Sequence, residues 1–61
     1  MIDRAVVKWY PLSPFADKVD LVLYAGRKIA GAFRFTDEKT AFAFAREHFP
    51  EVGEPQLMTV C

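Results

Sequence analysis

Sixty-one residues, 52% hydrophobic and 26% charged with zero formal net charge, make one folded domain (residues 1–61) and exclude a disordered or multidomain chain. There is no run of about 18 apolar residues, which excludes a membrane-spanning helix. One cysteine, Cys61, and one histidine, His48, leave no internal disulfide and no self-sufficient zinc site.

Ala5 to Tyr10 is β-branched and aromatic and reads as a first strand. Pro11 and Pro14 stop it, and each biases its predecessor toward extended geometry, so residues 11–15 form a turning connection. Val19 to Tyr24 is a second strand, Ala25-Gly26-Arg27 a turn, and Lys28 to Phe35 a third strand. Val19, Leu21 and Leu23 share one face of the second strand, as do Ile29, Gly31, Phe33 and Phe35 on the third. The two sets meet on one side only if Tyr24 pairs with an even-numbered residue such as Lys28, which implies an odd-length loop. A two-residue loop at Gly26-Arg27 would place Asp20 beside the phenylalanines, and burial selects against that register.

Thr36 or Asp37 caps a helix over residues 37–49, with Asp37 and Glu38 at the positive end of its dipole. Ala41, Phe42, Phe44, Ala45, His48 and Phe49 fall on one stripe, and the two alanines allow close approach to a sheet. Pro50 ends the helix, residues 51–55 form a loop, and Gln56 to Val60 makes a last strand. The fold class is therefore α+β: a three- to four-stranded antiparallel sheet with one amphipathic helix packed on one face, in the order βββαβ. Phe33, Phe42 and Phe49 are the expected core. A chain this short buries only roughly 60% of its unfolded surface, so a homodimer would add stability, with the first or last strand as the edge it uses.

The opening Met1-Ile2-Asp3-Arg4 is no signal peptide, and the lone thiol fits a reducing cytoplasm. The starting methionine is read as the mark of a complete small gene product. Charge is uneven: residues 1–36 carry six cations against three carboxylates, and residues 37–61 two against five. A solvated surface with chance clustering explains that plainly; a dipolar molecule with one basic and one acidic face is the sharper reading.

Catalytic machinery is missing. Nucleophilic catalysis needs a nucleophile, a base and an orienting group, and the chain offers Ser13, Cys61 and His48, the second of them terminal. His48 reads as a structural helix-end residue, and Glu47, Glu51 and Glu54 as a solvated acidic rim. Gly26, Gly31 and Gly53 match no phosphate-binding loop. The expectation is a non-enzyme with no catalytic residue, no cofactor and no metal.

Binding is what is left. The sheet face away from the helix is expected to show Lys18, Asp20, Val22 and Tyr24 beside Lys28, Ala30, Ala32 and Arg34, with either Trp9 or Tyr10 added by the first strand. Cross-strand pairing alone would account for such residues. The functional reading is a protein-binding module, an inhibitor, adaptor or regulator of a larger protein or complex, that uses Tyr10, Tyr24, Arg27, Lys28 and Arg34. Bacteriophage-encoded inhibitors of host machinery, inhibitors of CRISPR complexes among them, belong to this size class; no residue points to them. The alternative is a single-stranded nucleic-acid-binding domain that stacks bases on the same aromatic-basic face, against which stands the zero net charge. A mimic of phosphates built from Glu47, Glu51 and Glu54 has too few carboxylates.

Overall fold

A computed structural model describes residues 1–60 in the order β1 (Arg4–Trp9), β2 (Val19–Ala25), β3 (Lys28–Phe35), α1 (Glu38–His48), a 3-10 turn (Pro50–Val52) and β4 (Gln56–Thr59). Cys61 lies outside the described residues. The four strands form one sheet in the order β3-β2-β1-β4, with α1 across one face. The expected α+β class and βββαβ order hold, and two details of the sheet differ from expectation.

First, the sheet is mixed. β1–β2 and β2–β3 are antiparallel, but β4 lies parallel to β1. The cause is the helical crossover. Both β1 and β3 run opposite to β2, and a strand reached from β3 through a helix over the sheet returns in the direction of β3. That crossover also makes β1 an interior strand, so the sheet edges are β3 and β4, not the first strand.

Second, the hairpin uses a two-residue turn and still keeps the burial register. Val19↔Phe35, Leu21↔Phe33 and Leu23↔Gly31 pair as the hydrophobic pattern requires. The register then shifts by one between Leu23 and Tyr24, so Tyr24 pairs with Ile29 and Ala25 with Lys28, and Ala30 is the extra residue of a β-bulge. The odd-length loop and the Tyr24–Lys28 pairing are thereby corrected. Gly26 has φ of 63°, and no non-glycine residue among the described ones has positive φ. A left-handed first position followed by an ordinary second one is the pattern of a type II′ turn, which suits strand twist. The bulge reconciles a turn of even length with a strand face that demands odd length.

The core differs from the expected one as well. Its buried cluster is Ala5, Val7, Val19, Leu21, Leu23, Ala41 and Ala45, with no aromatic in it. Ala41 and Ala45 are the fully buried helix residues, and the buried side chains they pack with are all aliphatic. The larger rings lie outside that cluster. Phe35, Phe42, Phe44 and Phe49 are half-buried around that centre, and Phe33 at the sheet margin is 43% exposed. Phe33 is thus no core residue, and Phe42 and Phe49 belong to a shell.

Asp37 caps α1 through a 2.7 Å bond accepted by its carboxylate from the Thr40 backbone N–H. That bond, helped by the Thr40 hydroxyl, holds the Asp37 carboxyl below its ordinary value. A carboxylate stabilised in the folded state contributes above its unfolded pKa, about 3.9, and the contribution fades as pH falls through the lower folded value. Thermal melts between neutral pH and about pH 3 should therefore fall more steeply for the native chain than for Asp37→Asn, which keeps a capping oxygen without the charge. Parallel curves would remove the cap from the acid response.

Candidate functional site: the helix-free sheet face

Residues paired across strands share a face, so the registers sort every sheet residue into rows. Under the helix run Leu57-Val7-Leu21-Phe33 and Thr59-Trp9-Val19-Phe35. The opposite face carries three rows: Met58-Lys8-Asp20-Arg34, Gln56-Val6-Val22-Ala32, and Arg4-Tyr24-Ile29. Ala5 and Val7 enter the core, so β1 turns Val6 and Lys8 to this second face.

No helix covers these rows, yet Val6 and Val22 are 2% and 7% exposed. Long side chains cover them instead. The Arg4 guanidinium lies 4.4 Å and the Lys8 ammonium 5.6 Å from the centre of the Tyr24 ring. Arg4 and Lys8 stand about 13 Å apart along the strand at roughly 3.3 Å per residue. A ring within reach of both must lie lengthwise over the Val6–Val22 row. Cation–π attraction on each side holds it there. Hydrogen bonding to Tyr24, set against slight desolvation, keeps the Lys8 ammonium above its ordinary pKa.

The other end of the face is organised by Asp20 and Phe15. Arg34 donates to Asp20 through Nε at 2.9 Å, and its guanidinium stacks 4.5 Å from the Phe15 ring centre. Asp20 raises the Arg34 pKa further, so this cation stays charged at any working pH. The Pro11–Asp17 connection places Phe15 by three successive turns, closed by bonds from Ser13 N–H to Tyr10 O, Ala16 N–H to Ser13 O and Lys18 N–H to Phe15 O. The Trp9 indole pins the same loop from beneath with a 2.7 Å bond to Ala16 O. Tyr10, Ser13, Phe15, Lys18, Asp20 and Arg34 together line a shallow cleft of about 310 Å³.

Of the residues expected to bind, Tyr10 and Arg34 meet in this cleft, and Tyr24 stands on the same face as a lid over the valines. Arg27 and Lys28 are not part of the arrangement. They sit at the hairpin tip, and the bulge pairs Lys28 with Ala25, turning it to the helix side. Sequence reasoning missed Arg4 and Phe15. A first strand that starts at Ala5 leaves Arg4 out, although its i, i+4 relation to Lys8 puts both on one face. Phe15 lies in an irregular segment with no periodicity to read.

A second, larger cleft of about 410 Å³ opens on the helix side between Trp9, Lys18, Asp37 and Leu57. At the end of the helix, Glu54 is held by Arg46, which keeps its carboxyl below the ordinary range. That pairing leaves the acidic rim of Glu47, Glu51 and Glu54 with still less free charge. No group of three or more His, Cys, Asp and Glu side chains among the described residues could hold a metal ion. No helix among them is long and apolar enough to cross a membrane.

Compared with protein-family models, curated proteins and solved structures, the chain finds no match. Functional inference therefore rests on the geometry of its faces.

Proposed function

We propose that this protein is a non-enzymatic binding module that docks the helix-free face of its sheet onto an acidic surface of a larger protein and so blocks or adapts it. It would do so as an inhibitor, adaptor or regulator in a reducing cytoplasm. The observation that carries the reading is the state of the aromatic rings. Tyr24 is engaged by both Arg4 and Lys8, and Arg34 stacks on Phe15, which stays 51% exposed, so the cations of this face are spent on its own rings and less ring surface is left for base stacking. The face presents cations held at fixed places over buried valines. A preordered cation loses little freedom on docking, which favours specific charge pairing with carboxylates. The charge asymmetry agrees: the basic half of the chain builds β1 to β3, and much of the acidic half lies in α1 and its tail on the far side.

The test is affinity capture from source extract after nuclease treatment, compared with the double variant Lys8→Gln and Arg34→Gln. Tyr24 is left intact because its loss would uncover Val6 and Val22. The expected result is a stoichiometric protein partner whose affinity falls at least about tenfold in the variant, for a loss of roughly 1.4 kcal/mol or more. Binding should weaken modestly between low and physiological salt. Recovery of nucleic acid alone from a parallel capture without nuclease, with affinity dropping by orders of magnitude over that range, would replace this reading with the nucleic-acid one.

A further inference from the structure

The open edge of β3 is the feature that the basic face leaves unused. β3 has eight residues and pairs only through β2, so one side of its backbone offers free N–H and C=O groups. Natural edges are blunted by prolines, charges or bulges. Here the bulge at Ala30 and the charge of Lys28 protect only the first part. From Gly31 to Phe35 the edge is regular and contains no proline, and its one charge, Arg34, is drawn onto the helix-free face by Asp20. Phe33 lies in this stretch, 43% exposed.

We infer that the β3 edge pairs with the β3 edge of a second copy of this chain, antiparallel about a twofold axis at Phe33. Antiparallel self-pairing about one residue is isologous and closes at two copies. Placed at Phe33, the axis sets Phe33 against its own copy, Gly31 against Phe35 and Ala32 against Arg34. The helix-side row then gains an aromatic pair, and Gly31 adds no side chain to crowd the Phe35 opposite it. On the other face no cation meets a cation, because each Arg34 lies opposite an alanine and keeps its own Asp20.

The helices permit this arrangement. α1 contacts β1, β2 and β3 and is centred over β2. Two β2 strands separated by a joined β3 pair lie about 14 Å apart, at roughly 4.8 Å per strand. Packed helices stand about 8–10 Å apart, so the two do not collide. The gap between them suits the Phe33 and Phe44 rings, already 5.1 Å apart within each copy. The short β4 edge, with four residues, offers less. This inference is independent of the partner read from the basic face, and a dimer would present two such faces on one continuous sheet.

Sedimentation equilibrium tests it, with the chain taken up to about 1 mM, where even a weak specific contact is half-populated. The expected result is a monomer–dimer equilibrium in the native chain whose dissociation constant rises at least about tenfold in Phe33→Lys. Because Phe33 also touches Phe44, a circular dichroism melt of each Phe33 variant checks that it is folded, and a crosslinking variant reads proximity instead of affinity. In Cys61→Ser, Phe33→Cys should oxidise rapidly to a crosslinked dimer with oxidised glutathione, and Ala43→Cys on the exposed side of α1 should not. A monomer at about 1 mM, or a dimer in which Phe33→Cys crosslinks no faster than Ala43→Cys, overturns the inference.

Discussion

Leu21→Ala is expected to unfold the protein at room temperature or leave it barely folded. Leu21 is fully buried at the middle of β2, between Val7 on β1 and Phe33 on β3, in the cluster that includes Ala41 and Ala45 of the helix. Removing a leucine side chain from such a site costs about 2–5 kcal/mol, the larger values where the surroundings cannot collapse. Collapse is hindered here because the alanines already hold the helix close to the sheet. A domain of this size has about 3–9 kcal/mol in all, at roughly 0.05–0.15 kcal/mol per residue. Urea denaturation should show the midpoint near zero denaturant for Leu21→Ala. Leu12→Ala, at a residue 86% exposed, should shift stability by no more than about 0.5 kcal/mol. Similar losses at the two sites would mean that the cluster around Leu21 is not the centre of stability.

The second large effect is expected at Phe44. Its ring centre lies 5.1 Å from Phe33, 5.1 Å from Phe35, 4.4 Å from His48 and 6.4 Å from Phe49. It therefore ties β3 to the helix and to the turn after it. Tilted aromatic pairs add about 0.5–1.5 kcal/mol each beyond the area they bury. Phe44→Ala removes all four contacts at once and should cost about 3–5 kcal/mol. Phe42 touches the margin of the core, and its other partner is the Arg46 guanidinium at 5.9 Å, a weak contact at an exposed site. Phe42→Ala should cost clearly less. Chemical denaturation of the two variants side by side decides the order; a larger loss at Phe42 would move the centre of the aromatic shell toward β4.

Much of this architecture was legible in the residues themselves. The apolar alternation of Val19, Leu21 and Leu23 against Gly31, Phe33 and Phe35 specified the register of the hairpin, because a one-residue slip would have buried Asp20. Asp37 and Pro50 marked the ends of the helix, since one satisfies its first free N–H groups and the other cannot continue it. Ala41 and Ala45 marked the face that touches the sheet. These are local signals, read within a turn of helix or a pair of neighbouring strands.

The tertiary structure decided the rest. No local feature says that β4 joins β1 in parallel, because that depends on where the helix carries the chain after crossing the sheet. The bulge at Ala30 arises only when a two-residue turn and a buried face must be satisfied in the same hairpin, and it removes Lys28 from the basic face. The core is aliphatic because the helix sets Ala41 and Ala45 against the sheet and its phenylalanines around them, an arrangement that composition does not contain. Tyr24 looked like a binding anchor in the sequence; it became a lid over Val6 and Val22 because Arg4 and Lys8, four residues apart on another strand, hold its ring between them. Side-chain type and period determined the elements and their buried sides, and the packing of elements distant in the chain determined which of the exposed residues are free to meet a partner.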